Sequence, residues 1–408
     1  QAFEISRLFS SENSLFFANS EAFHGEACSV LAGPYTVTHH KSSLLIAGVF
    51  SFFNAGSGTN QSNHLYKLGP VPEGKLERGC KTGSFSYLMW PARVGPFSVV
   101  LGKHTRTFDT ADFPFSYLEA SPEGRCIMTP GFNYTTVGTV RDGTKWPARD
   151  RRHRTDRRDR ISFDVLSPYT VGKMMRGWAR LKSLRETTDR SVERVNVDGA
   201  EVKRVLLRTG EKTYRGAIHA YLLEKIVARI EGAGARDEQS VAAALKADPD
   251  AEFSDEWVDV GGQLLPASRI EQLCDAVECG ELTDLDTFQA RLDQASAASA
   301  EDEWAWVRWA YATMFQQPLE AADVGQLVED FGTVREKFLS LVLKDAEKEF
   351  DNVMRAGFGQ DGCAENVAAD FAAVRGAFES NSFVQQVRQE ITALTERVAR
   401  LKRQIEDR

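Results

Sequence analysis

The chain has 408 residues, 42% of them hydrophobic and 26% charged, with a formal net charge of -8. That length allows two to three domains with large cores, and the acidity argues against the chain as a whole coating nucleic acid. No run approaches the roughly 18 consecutive apolar residues that cross a bilayer.

The apolar pattern is already running at Phe3, Ile5, Leu8 and Phe9, so further coils or a targeting segment are expected upstream. Residues 1–145 are rich in Gly, Ser, Thr, Phe and Val, and turn pairs such as Gly33-Pro34, Gly69-Pro70 and Gly95-Pro96 punctuate them. This is strand-and-turn grammar. Apolar residues recur every sixth place, at Leu31 and Val37 and again at Leu88, Val94 and Val100. Such a rhythm suits short strands and turns stacked on copies of themselves, a parallel β-solenoid. It breaks from about Leu65 to Gly79 and from about Thr107 to Arg125, where projecting loops are expected.

Residues 146–163 read as a basic linker. From Lys145 to Arg160 the chain carries eight Lys or Arg and three Asp. The run fits an ion-paired, solvated connector. Its Arg forks, Arg149 to Arg160, also suit phosphate oxygens, although the interspersed Asp makes a nucleic-acid partner the weaker reading.

The grammar changes after Asp164, and residues 164–408 read as a helical domain. Ser167-Pro168 marks a helix start, followed by Val171, Met174, Met175, Trp178 and Leu181 at helical spacing. Further helices are predicted over Tyr214 to Ile230, Ala235 to Asp250, Pro266 to Glu278 and Asp302 to Phe315. The aromatic mass of Trp304, Trp306, Trp309 and Tyr311 fits a core clamp. The last segment places Phe383, Val387, Ile391, Leu394, Val398, Leu401 and Ile405 on a heptad seam. That seam suits either a coiled coil between subunits or packing against its own domain.

Six cysteines, Cys28, Cys80, Cys126, Cys274, Cys279 and Cys363, are scattered without a C-x-x-C pair. They read as free thiols of a reducing, cytoplasmic protein rather than a zinc site.

The candidate chemistry falls on two stretches. Asn54 to His64 is dense in Gly, Ser and Asn, able to close coil corners or to present N–H groups to an anion. His64, beside Asn63, Tyr66 and Lys67, is the first candidate general base. His104 is the second, followed by Arg106, Asp109 and Asp112. Three histidines, His39, His64 and His104, are the one set that adjacent coils could bring to a metal. Their separations match no ligand signature, so no metal is expected.

Val94-Gly95-x-x-Ser98 and its six-residue neighbours resemble the hexapeptide repeats of left-handed β-helix proteins. That resemblance implies a left-handed parallel β-helix, commonly an acyltransferase acting on sugar nucleotides or amino sugars, and usually a homotrimer. More narrowly, Ser57-Gly58-Thr59-Asn60-Gln61-Ser62-Asn63-His64-x-Tyr66-Lys67-Leu68-Gly69 and Gly102-Lys103-His104-Thr105-x-Thr107-x-Asp109 look like a bacterial family of unknown function. Its members join a β-helix to a helical domain, and some are labelled UDP-N-acetylglucosamine pyrophosphorylase-related.

The expectation is therefore an α+β chain: a left-handed parallel β-helix with inserted loops, then a mainly helical domain ending in a long helix. The first functional expectation is a transferase on a sugar or sugar nucleotide. In it His64 deprotonates the acceptor, Asp109 orients His104, and Asn60, Gln61, Asn63, Tyr66, Lys67 and Arg106 bind substrate. Acetyl-CoA or another acyl donor is the cofactor it allows. The alternative is a non-catalytic oligomeric scaffold or a carbohydrate- or nucleotide-binding protein.

Overall fold

The computed structural model describes residues 4–5, 8–62, 67–68, 72–153, 157, 159–235, 237–359 and 362–406. Its N-terminal part is a parallel β-solenoid of about six turns. Ala32, Phe50, Leu76, Val94 and Thr110 lie in one register across successive coils. So do Thr82, Val100 and Leu118 on another face. Ala32 and Phe50 are eighteen residues apart, as are Leu76 and Val94, which is three faces of six residues each. The sequence rhythm is thus a packing rule: each coil returns a side chain to the same inward columns, and Leu45, Leu76, Leu88, Val94, Val100 and Leu118 are fully buried in them.

The first break in the rhythm falls between Ser62 and the strand Gly74–Leu76; Gly74 to Gly79 is regular coil rather than loop. The second expected loop is not a loop. Asp109–Thr110 and Tyr117–Ala120 are strands paired in parallel with the coil before them. The rhythm is masked there because the inward column passes from Val94 to a polar residue, Thr110, sixteen rather than eighteen places on, while Val100 and Leu118 keep the eighteen-residue step. The solenoid ends where Cys126–Thr129 turns back antiparallel on Tyr117–Ala120.

One corner of the solenoid is a column of rings. Tyr35, Phe52, Phe97 and Phe115 all sit there at positive φ. Tyr35 stacks on Phe52 at 5.1 Å, and Phe97 on Phe115 at 5.0 Å. Gly79 takes the middle position with φ +77° and no ring; a Cβ there would stand 2.4 Å from the Phe97 ring. Trp146, on helix α1 (Val137–Ala148), fills the gap from outside, 4.7 Å from Phe52 and 6.1 Å from Phe97.

The remaining elements are α2 (Pro168–Thr187), a hairpin (Arg194–Val197 and Ala200–Lys203), α3 (Arg204–Gly232) and α4 (Glu238–Ala244). A second hairpin follows (Trp257–Val260 and Gln263–Pro266), then α5 (Ala267–Glu278), α6 (Leu285–Phe315), α7 (Val324–Glu347), α8 (Ala364–Arg375) and α9 (Ser382–Glu406). The first hairpin extends the solenoid sheet, with Cys126 paired to Ala200. Both hairpins interrupt a region that reads as helical throughout. Each turns on residues at positive φ, Asp198-Gly199 and Gly261-Gly262, and Asp-Gly between Val197 and Val202 is the hairpin signal.

The chain divides into two compact units, and the division does not follow the change of grammar at Asp164. The first comprises Gln1–Tyr134, Asp142–Tyr221 and Ala247–Ala310; the second comprises Thr135–Arg141, Leu222–Lys246 and Tyr311–Arg408. The solenoid therefore shares its unit with α2, the hairpins, α5 and most of α6. Within that unit Trp306 is fully buried, 6.1 Å from Tyr221 and 5.8 Å from Trp309. In the second unit α7 and α9 pack antiparallel. Val398 lies against Gly332, and Lys402 pairs with Glu329 at 3.4 Å. The heptad seam of α9 is turned inward on its own unit, with Val384, Val387, Leu394 and Leu401 buried.

Candidate functional site

In a strand, alternate side chains face in and out, and the coil register decides the fate of every predicted site residue. Leu88 pairs with Gln61 on one side and with His104 on the other. Gln61 and His104 therefore occupy an inward column with Leu88, and both are buried. Gln61 accepts a 3.2 Å hydrogen bond from the Ile46 N–H. His104 Nε2 lies 3.2 Å from the Leu101 carbonyl, and its ring packs 5.2 Å from Phe108. Burial pushes the His104 pKa down to about 4, with the Leu101 and Leu118 main chain offsetting part of the shift. A fully enclosed, neutral imidazole cannot reach a substrate hydroxyl, so His104 is a core residue and not the second base. Nor does Asp109 orient it.

Asp109 faces outward in the column of Arg93, its cross-strand neighbour. It pairs with that guanidinium at 3.3 Å and accepts from the Ala111 N–H at 2.9 Å. Asn60 faces outward beside Tyr87 and is half-buried, while Lys67 and Arg106 are exposed. His64, Asn63 and Tyr66 lie outside the described residues. Among the described residues, no group of three or more His, Cys, Asp or Glu could hold a metal.

The strongest polar cluster is one that the motifs did not point to. At the corner where neighbouring coils carry Ser51-Phe52 or Gly95-Pro96-Phe97, one coil carries Glu77-Arg78 instead. Both are buried, at 1% and 0% exposure. Glu77 faces α2: Tyr169 donates its hydroxyl at 2.7 Å, and the Lys173 ammonium lies 3.0 Å away. Burial, then the Glu77 charge, raises the Tyr169 pKa well above the ordinary phenol range, so the hydroxyl stays a donor. Arg78 faces the second hairpin. It reaches Asp259 at 3.3 Å, donates to the Ser162 carbonyl, and lies over the Phe52 ring at 4.0 Å. Asp259 in turn accepts from Ser51 Oγ at 2.8 Å and from the Gly262 N–H at 2.7 Å. Two adjacent residues of opposite charge thus seat two different elements on the solenoid. Their adjacency in a glycine-flanked corner, Leu76-Glu77-Arg78-Gly79, was the available signal.

Several arginines of the basic run are likewise ion-paired. Arg151 pairs with Glu21 and with Glu4, Arg152 with Asp150 at 2.8 Å, and Arg160 with Asp293 at 2.7 Å. Burial alone would raise the Asp150 pKa. The Arg152 guanidinium and the Asn19 amide hold it well below the usual carboxylate range instead.

Comparison with known proteins gives family matches without an activity. Residues 1–185 match the model of a domain of unknown function (DUF4954), and residues 237–405 match that of a second domain of unknown function (DUF6819). An uncharacterized protein of Treponema pallidum (strain Nichols) is 25% identical over 311 residues, which is 68% of this chain. The chain spans 41% of that relative's length.

Proposed function

We propose that the protein is a non-catalytic scaffold, a stiff β-solenoid that serves as the seat for helical elements and presents them to partners. The observation that carries this reading is the use made of the solenoid's charged corner. Glu77 and Arg78 are sealed under α2 and the second hairpin, where a substrate cannot reach them. Buried ionic groups paired in this way fix a docking geometry more than they add stability. The inward His104 points the same way.

Transferase chemistry on a sugar or sugar nucleotide remains the second reading. It now rests on His64 alone as base, with Asn60 and Lys67 as outward-facing substrate contacts. A hexapeptide-type trimer belongs to either reading, and the solenoid flank is then the surface that forms it, because the α9 seam is occupied within its own unit. A cytoplasmic location fits the buried free thiols of Cys80 and Cys126, whose pKa values burial raises.

The test is a calorimetric titration of the full chain with acetyl-CoA and with UDP-sugars, together with an assay of CoA or nucleotide release. The scaffold reading expects no turnover, and a light-scattering mass gives the assembly state. Turnover that His64→Ala abolishes would overturn it in favour of the transferase.

A further inference from the structure

Helix α3 carries a basic face on an acidic chain. From Lys203 to Arg215 stand five cations, Lys203, Arg204, Arg208, Lys212 and Arg215, and one acid, Glu211, in a protein of net charge -8. Leu207, Tyr214 and Ile218 bury one side of α3. Arg208, Lys212 and Arg215, spaced by four and then three residues, are exposed, and that spacing puts them in one row along the helix. The row is about 10 Å long at about 1.5 Å per residue.

Helix α2 runs antiparallel beside it. A Cβ on Gly177 would stand 3.1 Å from the Tyr214 ring, and one on Gly210 2.9 Å from Leu181. Arg185 of α2 reaches Glu211 of α3 at 2.6 Å. That ion pair takes up the one acid of the row and marks where the two helix flanks meet. One turn before Arg185 is Lys182, exposed, with its ammonium 5.4 Å over the Trp178 ring. One turn to either side of Glu211 are Arg208 and Arg215. Arg185 also pairs with Glu186 at 3.1 Å, so Glu186 and Glu211 share one guanidinium. Lys182, Arg208, Lys212 and Arg215 make no ion pair among the described residues.

Arg208 and Lys212, and Lys212 and Arg215, are like charges at i, i+4 and i, i+3, an arrangement that destabilises a helix and that a polyanion relieves. Val205, 75% exposed, is the one exposed large apolar side chain on α3 among the described residues. The face thus lacks the apolar centre of a protein interface and the broad apolar surface that enters a membrane. Trp178 is half-buried with Lys182 over its ring, which leaves no open platform for stacking single-stranded bases. What the face offers is a stiff row of guanidinium and ammonium groups, suited to phosphates at regular spacing.

We propose that the α2–α3 face binds the phosphate backbone of double-stranded nucleic acid through Lys182, Arg208, Lys212 and Arg215, without reading bases. Along 10 Å of its axis duplex DNA carries about six phosphates, enough to engage all four cations. The acidity of the chain as a whole confines the contact to this face. The inference goes beyond the scaffold reading and does not rest on it.

The test is a fluorescence-anisotropy titration of a mixed-sequence DNA duplex with the full chain over a series of salt concentrations. Four phosphate contacts give a slope of log affinity against log salt of about -3 to -4. Arg208→Gln, Lys212→Gln and Arg215→Gln are each expected to make that slope shallower by about 1, and the triple variant to lose most of the binding. Arg208→Lys keeps the charge and the slope. Lys103→Gln, at an exposed cation of the solenoid, leaves the slope unchanged. All of these positions are exposed, so the thermal midpoints are expected to match the wild type. No saturable binding at low salt overturns the proposal. So does an equal change of slope with Lys103→Gln, which would mean a diffuse attraction, and so does tighter binding to phosphatidylglycerol vesicles or to single-stranded DNA than to the duplex.

Discussion

A buried histidine makes the stability of this protein depend on pH in a definable window. His104 is fully buried and titrates at about 4, against an ordinary 6.5. Between those values the unfolded chain binds a proton that the folded chain excludes. The stability contributed by the neutral imidazole is therefore complete above pH 6.5 and is lost as pH falls towards 4. The shift corresponds to about 3 kcal/mol at full development. Urea unfolding between pH 7 and 5 is expected to show wild-type stability falling, and His104→Leu is expected to flatten that fall. An unchanged slope in the variant would show that the imidazole stays solvated. Arg78 behaves differently, because its charge is permanent and its partner is buried with it. Arg78→Met strands Asp259 and is expected to cost about 3 kcal/mol, the low end for breaking a buried pair. Ser51 and Gly262 still hold the carboxylate. Adding Asp259→Asn is expected to recover about 1 kcal/mol, a coupling that a double-mutant cycle resolves. Strict additivity would mean that the two side chains do not sense each other.

Among elements, the corner column shows how a substitution in one coil recruits a helix. Four coils place a ring at the positive-φ corner, and Gly79 leaves a vacancy that Trp146 fills from α1. Trp146→Ala is expected to destabilise the first unit by about 3 kcal/mol, the usual order for removing a packed aromatic ring. Gly79→Ala is expected to be damaging for two further reasons: its φ of +77° is strained for an L side chain, and its Cβ meets Phe97 at 2.4 Å. Chemical denaturation of both variants checks this, and near-wild-type stability in Gly79→Ala would mean the column relaxes freely. The six-residue rhythm made the solenoid legible wherever aliphatic residues held the inward column, from Leu88 to Val100. It failed at Thr107 to Arg125 because a polar residue, Thr110, takes the inward place of Val94, and the step to it is sixteen residues instead of eighteen. The site was less legible than the fold. Asn60 and Gln61 are neighbours in sequence but face opposite ways, and only coil register, which is long-range information, separates solvent-facing Asn60 from buried Gln61. The roles of Glu77 and Arg78 are not legible locally because their partners Tyr169 and Asp259 lie far along the chain.

For the whole molecule, the C-terminal heptads pose the question of assembly, and the packing of α9 answers part of it. A seam that joined subunits would have to be vacant in one chain. Here Val384, Val387, Leu394 and Leu401 are covered, and the flanking charges are satisfied within the second unit. Arg397 reaches Glu231 at 2.7 Å and Glu224 at 2.9 Å, and its guanidinium lies over the Phe331 ring at 4.9 Å. Burial around Glu231 opposes its ionisation, but the Arg397 and Arg400 guanidinium groups prevail and hold its pKa below the ordinary value. A helix held on one side by apolar burial and on the other by a two-carboxylate clamp behaves as core of its unit. Leu401→Ala is therefore expected to destabilise the second unit by about 2–4 kcal/mol, as for other buried Leu truncations. The mass by light scattering should stay that of the wild type. Arg397→Met should act in the same direction, lowering the thermal midpoint without changing the mass. A fall in mass with either variant, at concentrations where the wild type assembles, would place the seam between subunits and undo this argument.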